Sequence, residues 1–414
     1  MADVVPDPRK AAPVSARRAL LLENIHPVAE EILTQAGLEV ETAKGALDEP
    51  ELIEALRGVD VLGIRSKTQL TGKVVESAEG LCVVGAFCIG TNQIDLATAS
   101  RRGVAVFNAP YSNTRSVVEL AIAEIISLTR GLTEKNASLQ RGVWDKSASG
   151  AHEVRGRRLG IVGYGNIGSQ LSVVAEAMGM SVSFYDLEDK LALGNARRAH
   201  SLEELLGESD VVSLHVDGRA GNAGLFGEEQ LRMMKTGAIF VNLSRGFVVD
   251  HEALREHLLS GHLSGAAVDV FPKEPKKQGD PFESALRGLP NVILTPHIGG
   301  STEEAQEDIG LFVARKLQSY LTAGATQMSV NLPNLSLAHA PGTHRLAHLH
   351  ANVPGVLARV NAVFANRGVN VESQVLTTFG DLGYLLTDIG RDYSADVVAE
   401  LAGLPETVRL RVID

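Results

Sequence analysis

Short apolar runs alternate with amphipathic stretches along most of the chain, the pattern of an α/β protein built on mainly parallel sheets. Arg18–Glu23, Val59–Arg65, Leu81–Ala86 and Val104–Asn108 read as strands of one sheet, with helical patterns between them. A second series starts at Leu159 and continues through Val182–Tyr185, Val211–His215, Ala238–Leu243, Gly265–Val270 and Val292–Thr295. A long amphipathic helix from Val117 to about Leu132 is predicted between the two series, with Ser116 and Glu119 spaced as a capping box. A helical stretch over Glu303–Leu321 would return the chain to the first unit.

The pattern changes after Asn331–Gly342, a Pro/Asn/Gly-rich segment that reads as a linker. Beyond it the predicted elements are a strand Arg345–His350, a helix Pro354–Asn366, strands Val369–Thr378 and Leu382–Ile389 around Gly380-Asp381, a helix Ser394–Leu401 and a strand Val408–Ile413. This βαββαβ order fits a ferredoxin-like module.

Composition narrows the partners. A net charge of −11 and a pI near 5.6 argue against nucleic acid or an anionic membrane as the main partner. No apolar run reaches the length of a membrane span, and the N-terminal residues lack the apolar core of a signal peptide. Two cysteines, Cys82 and Cys88, give no disulfide framework, so a reducing cytoplasm is expected. No base is visibly paired with Cys88 as a nucleophile; a small buried side chain is the simpler reading.

The most specific chemistry lies in Leu159–Asp186. An apolar strand enters Gly163-Tyr164-Gly165-Asn166-Ile167-Gly168, a helix follows, and a second apolar strand ends at Asp186. Gly163 permits a tight turn, Gly165 lets the backbone approach a pyrophosphate, and Gly168 lets the helix pack close on the strand. The helix N-terminus offers unpaired N–H groups to phosphates. Asp186 is placed to accept from a ribose diol, and with Glu188 and Asp189 it should repel a 2′-phosphate. The expected cofactor is NAD, held by a Rossmann-type domain.

Ligands of open α/β sheets sit beyond the carboxyl ends of the strands. Arg245, Glu274 and His297 fall there, in Leu243-Ser244-Arg245-Gly246, DVFPKEP and TPHIGGST. Oxidising an alcohol with NAD needs a base for the hydroxyl proton, which histidine supplies near neutral pH. Arginine gives a forked, permanent charge for a substrate carboxylate. A carboxylate beside the histidine fixes its tautomer and favours the imidazolium. Alone, Arg245 reads equally as a surface ion pair, and Glu274, among Lys273, Lys276 and Lys277, as a solvated loop charge. His297, in a Gly/Pro-shaped loop, is harder to read that way.

From these residues the chain resembles the NAD-dependent D-2-hydroxyacid dehydrogenases, within them the branch that carries a C-terminal ACT domain and oxidises 3-phospho-D-glycerate. The resemblance covers about Leu20 to Asp414. It rests on GIRSKTQLT at 63–71, GAFCIGTNQIDL at 85–96, FNAPYSNTRSVVEL at 107–120, RGVWDKSASG at 141–150, the glycine fingerprint, NLSRGFVVD at 242–250, DVFPKEP at 269–275 and LTPHIGGSTEEAQE at 294–307. It implies a Rossmann-type cofactor domain inserted in a flavodoxin-like substrate domain, plus a ferredoxin-like ACT domain. The implied boundaries are a tail over 1–17, a substrate domain over 18–114 and 303–332, an NAD domain over 115–302, a linker over 333–343 and the ACT domain over 344–414.

The same resemblance makes Arg245, Glu274 and His297 the catalytic set. It adds Asp269 against the nicotinamide carboxamide and His215–Val216 on the adenine side, with Asn166, Ile167, Leu243, Ser244 and Gly300 lining the cofactor. For the substrate it implies Arg65, Ser66, Lys67, Cys88, Ile89, Gly90 and Asn113, with Lys146 reaching from a neighbouring subunit. Lys67 stands where arginine is commoner, so phosphate there would meet a point charge instead of a fork. It implies L-serine as an effector, held by His350, Asn352 and Asn370 between paired ACT domains, and a homotetramer. His348 and His350 share a strand face, but no third ligand is evident and no metal is expected. Pro341-Gly342 departs from the family's Gly-Gly hinge, and His344-Arg345 replaces a basic pair. Other activities stay open at this point: another 2-hydroxyacid reductase, acting on hydroxypyruvate, glyoxylate or 2-oxoglutarate, or a non-catalytic NAD-sensing corepressor.

Overall fold

The computed structural model describes residues 17–275, 279–338, 342–390 and 395–413. Most of the expected tail, and Lys276, Lys277 and Pro341, lie outside the described residues. Contacts divide the chain into two compact units, one of residues up to Pro110 with Gln306 onward, the other Tyr111–Ala305.

The first unit holds a parallel sheet of β1 (Arg18–Leu21), β2 (Glu39–Thr42), β3 (Val61–Ile64), β4 (Val83–Ala86) and β5 (Ala105–Asn108), in the order β2-β1-β3-β4-β5. This is the flavodoxin-like order, whose switch point lies between β1 and β3. The sequence reading lacked β2. Its residues, Glu-Val-Glu-Thr, are exposed except for a half-buried Val40, because the strand sits at the sheet edge and buries almost nothing.

The second unit holds β6 (Arg158–Val162), β7 (Ser181–Tyr185), β8 (Arg197–Arg198), β9 (Val211–Leu214), β10 (Ala238–Asn242), β11 (Leu263–Val268) and β12 (Val292–Leu294). Their order, β12-β11-β10-β9-β6-β7-β8, is the Rossmann order 3-2-1-4-5-6 with one further parallel strand. The short, exposed β8 was also absent from the sequence reading.

The helix expected from Val117 spans Thr114–Arg130, and this corrects the capping box. Ser116 lies inside the first turn, where its hydroxyl pairs with that of Thr302 at 2.9 Å, and Glu119 pairs with Arg115 instead. The N-cap is Asn113, which makes no side-chain cap bond. Gly131, left-handed at φ 57°, ends the helix. Its apolar face, Val117, Val118, Ala121, Ile125 and Leu128, is buried in the core of this unit, the helix packing on the helix Asn166–Ala177 and on β10 and β11.

The C-terminal strands β13 (Thr343–Ala351), β14 (Val371–Phe379), β15 (Leu382–Gly390) and β16 (Thr407–Ile413) form an antiparallel sheet in the order β14-β15-β13-β16, as the βαββαβ reading requires. One face is covered by the helices Val356–Asn366 and Ala395–Ala402. The other face belongs to the first unit's core: Ala347, Leu349, Tyr384, Leu386 and Ile413 cluster with Leu21, Val83, Phe107, Val313 and Leu317. Polar contacts reinforce this seam. Arg409 Nη1 donates to the carbonyls of Leu81 (2.9 Å) and Gly103 (3.0 Å), and Tyr384 Oη donates to Gly324 O at 2.7 Å.

The stretch read as a linker carries no helix or strand in its described part, yet it is packed. Asn331, Leu332 and Leu335 are buried, and Asn331 Oδ1 accepts from Val106 N at 2.9 Å. Arg345, fully buried, pins its end. Its guanidinium meets both oxygens of Asp388 at 2.7 Å and donates to the carbonyls of Ala323, Leu337 and Ala338.

Candidate active site

The glycine turn is built as its chemistry demands. Gly163 has φ +91°, and a Cβ there would lie 2.6 Å from His215 O, so only glycine lets the chain leaving β6 pass this close to the end of β9. At Gly168 a Cβ would collide with Gly163 O, which sets the helix close on the turn. At Gly165 a Cβ would meet nothing within 4 Å, so the backbone borders open space at the helix N-terminus. A dinucleotide pyrophosphate fits this arrangement. Asp186 follows β7; its Oδ2 accepts from Tyr164 N (2.7 Å) and Oδ1 from Glu188 N (2.9 Å). His215 pairs through Nε2 with Ser213 Oγ, and burial pushes its imidazole down to about 4, so it stays neutral.

The structure joins His297 to Glu274. Nδ1 lies 2.9 Å and 3.1 Å from the two carboxylate oxygens, which leaves Nε2 as the outward nitrogen. The hydrogen bond to Glu274 is the largest influence on the imidazole and raises its pKa; burial and Arg245 act the other way. Burial would raise Glu274's carboxyl, but the bond and charge of His297, the Phe271 N–H and Arg245 together bring it below its ordinary value. Arg245 donates to Ser244 O at 2.7 Å. Asn242 shapes its turn, accepting from Ser244 N and donating to Arg245 O. A Cβ on Gly246 would collide with the Phe271 backbone, so glycine lets this turn approach the Glu274 loop.

Asp269 holds the His297 loop. Its Oδ1 accepts from Thr295 Oγ1 (2.6 Å) and Ile298 N (2.8 Å), and its Oδ2 from Gly299 N (2.8 Å). His297 itself is left-handed, at φ 56°. Glu124 was missed by the sequence reading. It is 3% exposed, and neither carboxyl oxygen has a hydrogen-bond partner. Burial, helped by the charge of Asp269, pushes its carboxyl up to about 8. The signal was available: Glu124 lies on the apolar stripe of its helix, between Ala121 and Leu128.

The other expected residues fall as follows. Asn113 packs against Gly300, with Oδ1 buried and lacking a partner. Lys146 is exposed in the segment that also carries Trp144, 79% exposed. In the first unit, Arg65 is half-buried and Ser66 and Lys67 are exposed, just after β3. The Cys88–Gly90 loop follows β4, and Asn108 Nδ2 donates to Ile89 O. Asn352 Nδ2 reaches Gly380 O at 3.1 Å, and Asn370 Nδ2 reaches Glu372 at 2.7 Å; both residues are exposed. His350 differs from them: it is 3% exposed, Nδ1 bonds to Ala351 O, and its ring lies against Gly383.

Residues 122–299 match the NAD-binding domain of the D-isomer specific 2-hydroxyacid dehydrogenases, and residues 346–409 match an AHAS small subunit-like ACT domain. A protein of Escherichia coli strain K12 named D-3-phosphoglycerate dehydrogenase is 50% identical over 397 residues, 95% of this chain and 97% of that one. The chain belongs to the D-3-phosphoglycerate dehydrogenases. A dehydrogenase of the same name from Dictyostelium discoideum is 45% identical, over 98% of this chain and all of its own length.

Solved structures agree on the fold that D-3-phosphoglycerate dehydrogenases share with their wider family. D-2-hydroxyisocaproate dehydrogenase superposes with a TM-score of 0.68 at 26% identity, covering 76% of this chain and 99% of its own. The D-lactate dehydrogenase of Aquifex aeolicus, solved with NAD and lactic acid, gives 0.64 at 26% identity, over 73% of this chain and 95% of that one. As a member of this family the chain is an NAD-dependent oxidoreductase.

Proposed function

We propose that this chain oxidises 3-phospho-D-glycerate to 3-phosphooxypyruvate with NAD, the first step of L-serine synthesis, and that L-serine inhibits it. The observation that carries the chemistry is the His297–Glu274 pair under the influence of Arg245. NAD, when bound at the glycine turn, supplies the hydride acceptor. Neutral His297 takes the hydroxyl proton at Nε2. Glu274 holds Nδ1, fixing that tautomer and stabilising the imidazolium that forms. Arg245 clamps the substrate carboxylate and polarises the carbonyl. Because Glu274 raises the His297 pKa, oxidation should rise as pH climbs through that value, and reduction of the keto acid, which needs the imidazolium, should fall.

Arg65 and Lys67 supply charge for the substrate phosphate, and Ser66, the Cys88–Gly90 amides and Asn113 supply polar contacts. Lys146 contributes charge from a neighbouring subunit. Asn352 and Asn370 recognise the serine effector, with His350 in the strand beneath them. Self-association to a tetramer in the cytoplasm completes the reading. The long helix spends its apolar face within its own unit, so the support for dimerisation is the exposed apolar run that follows it: Leu132, Leu139, Val143 and Trp144. The test follows NADH formation with 3-phosphoglycerate, with phosphate-free D-glycerate, and with added serine. Efficient turnover confined to the phosphorylated substrate, reduced by serine, is expected. Equal turnover of both substrates would overturn the substrate assignment, and full activity in millimolar serine would overturn the effector.

A further inference from the structure

Glu23 stands just beyond β1, at the switch point between β1 and β3 where a doubly wound sheet receives its ligand. It is 7% exposed, and its carboxylate accepts three backbone N–H groups. Oε1 takes Arg65 N (3.1 Å) and Thr68 N (2.8 Å), and Oε2 takes Lys67 N (3.0 Å). Glu23 and Asn24 are both left-handed, at φ 62° and 54°, a conformation that bulky residues adopt only when surrounding contacts enforce it. Gln93, 8% exposed, closes the arrangement from the other side. Its Nε2 donates to Arg65 O at 2.7 Å and Gly90 O at 3.3 Å, joining the loop after β3 to the loop after β4.

An acid beside a site for an anionic substrate is costly unless its charge is taken up. Here three amides take it up. The same amides, left to themselves, would form a concave anion nest. Turned onto Glu23, they leave recognition of phosphate to the side chains of Arg65 and Lys67, for which no ion-pair partner occurs among the described residues.

We propose that Glu23 is a positioning residue for the substrate: it fastens the Arg65–Thr68 loop so that Arg65 and Lys67 are presented to the phosphate, and Gln93 locks that loop to Cys88–Gly90. This rests on the reading that Arg65 and Lys67 bind the substrate phosphate. In Glu23→Gln the shape is kept, but an NH2 group replaces one acceptor and faces an N–H donor. The KM for 3-phosphoglycerate should rise roughly tenfold or more, the size expected for losing a hydrogen bond to a charged group. The KM for NAD should stay the same and kcat should change much less. Gln93→Leu should act in the same direction.

Arg65→Ala and Lys67→Ala run in parallel. If they leave the KM for 3-phosphoglycerate unchanged, the phosphate assignment fails and the proposal with it. If they raise it while Glu23→Gln does not, the phosphate assignment stands and the positioning role is overturned. NADH binding, followed by fluorescence, reports whether each variant folds. A Glu23→Gln protein that does not bind NADH would also overturn the proposal, because Glu23 would then be required for the fold as a whole.

Discussion

Replacing Glu124 by Gln should remove a pH-dependent loss of stability from the second unit. The carboxyl titrates near 8 when folded, against an ordinary 4.5. Below 4.5 both folded and unfolded chains hold the proton, and the folded preference for the neutral acid is fully present. As pH rises above 4.5 the unfolded chain releases its proton while the folded chain keeps it, so stability falls until about pH 8, where both are ionised. Each pH unit in that window is worth about 1.4 kcal/mol, so wild type should lose about 3 kcal/mol between pH 5.5 and 8.5 that the variant does not. Against this, the Gln amide brings donors into a site without partners, costing about 1–3 kcal/mol at every pH. Wild type has already lost about 1.4 kcal/mol by pH 5.5, so the variant should melt close to wild type there and above it at pH 8.5. At roughly 2–4 °C per kcal/mol for a unit of this size, the difference in Tm should shift by about 6–12 °C between the two conditions. Scanning calorimetry of both proteins at both pH values measures it. A variant that tracks wild type in parallel from pH 5.5 to 8.5 would show that Glu124 does not hold a proton in the folded state.

His297→Ala should lower kcat by roughly a hundredfold or more in a folded protein, since it removes the proton acceptor while a strand-end loop carries little core; near wild-type turnover would sink its role. Asp186→Ala should narrow the preference for NAD over NADP, read as the ratio of kcat/KM values, and a wild-type enzyme that uses both equally would contradict the role of this carboxylate. Arg345→Ala removes the cation from a fully buried carboxylate, at a cost of about 3–5 kcal/mol in urea unfolding, much of it recovered in the Arg345→Met, Asp388→Leu double variant. A cost below about 1 kcal/mol for the single change would show that the pair does not hold the seam.

The glycine turn and the His297–Glu274 pair were legible because both depend on residue types whose chemistry has few substitutes. Gly163 and Gly168 are required by backbone contacts, and a histidine at a strand end has few purely structural uses. What was missed has a common cause. Strand β2 buries so little that its sequence carries no apolar signal. Glu23 acts on backbone amides more than forty residues away, and no local pattern records that. Ser116 and Glu119 matched a capping spacing, but the helix had already begun at Thr114, so spacing without the helix boundary misled. The stretch after Asn331 looked like a linker by composition, and it is the tertiary partners of Asn331 and Arg345 that fasten it.

The first unit's core joins Leu21, Val83 and Phe107 with Val313, Leu317, Ala347 and Leu386, residues on either side of the inserted 111–305. On the ribosome these halves do not exist at the same moment. At about 5–20 residues per second, roughly 10–40 s separate the synthesis of β5 from that of its covering helix. Through that interval one face of the five-stranded sheet has emerged without the residues that shield it from water. Slow refolding, sensitivity to expression temperature and engagement by chaperones that bind apolar strands are the costs expected of this order of synthesis. A circular permutant that begins within the second unit and makes the two halves consecutively should relieve them.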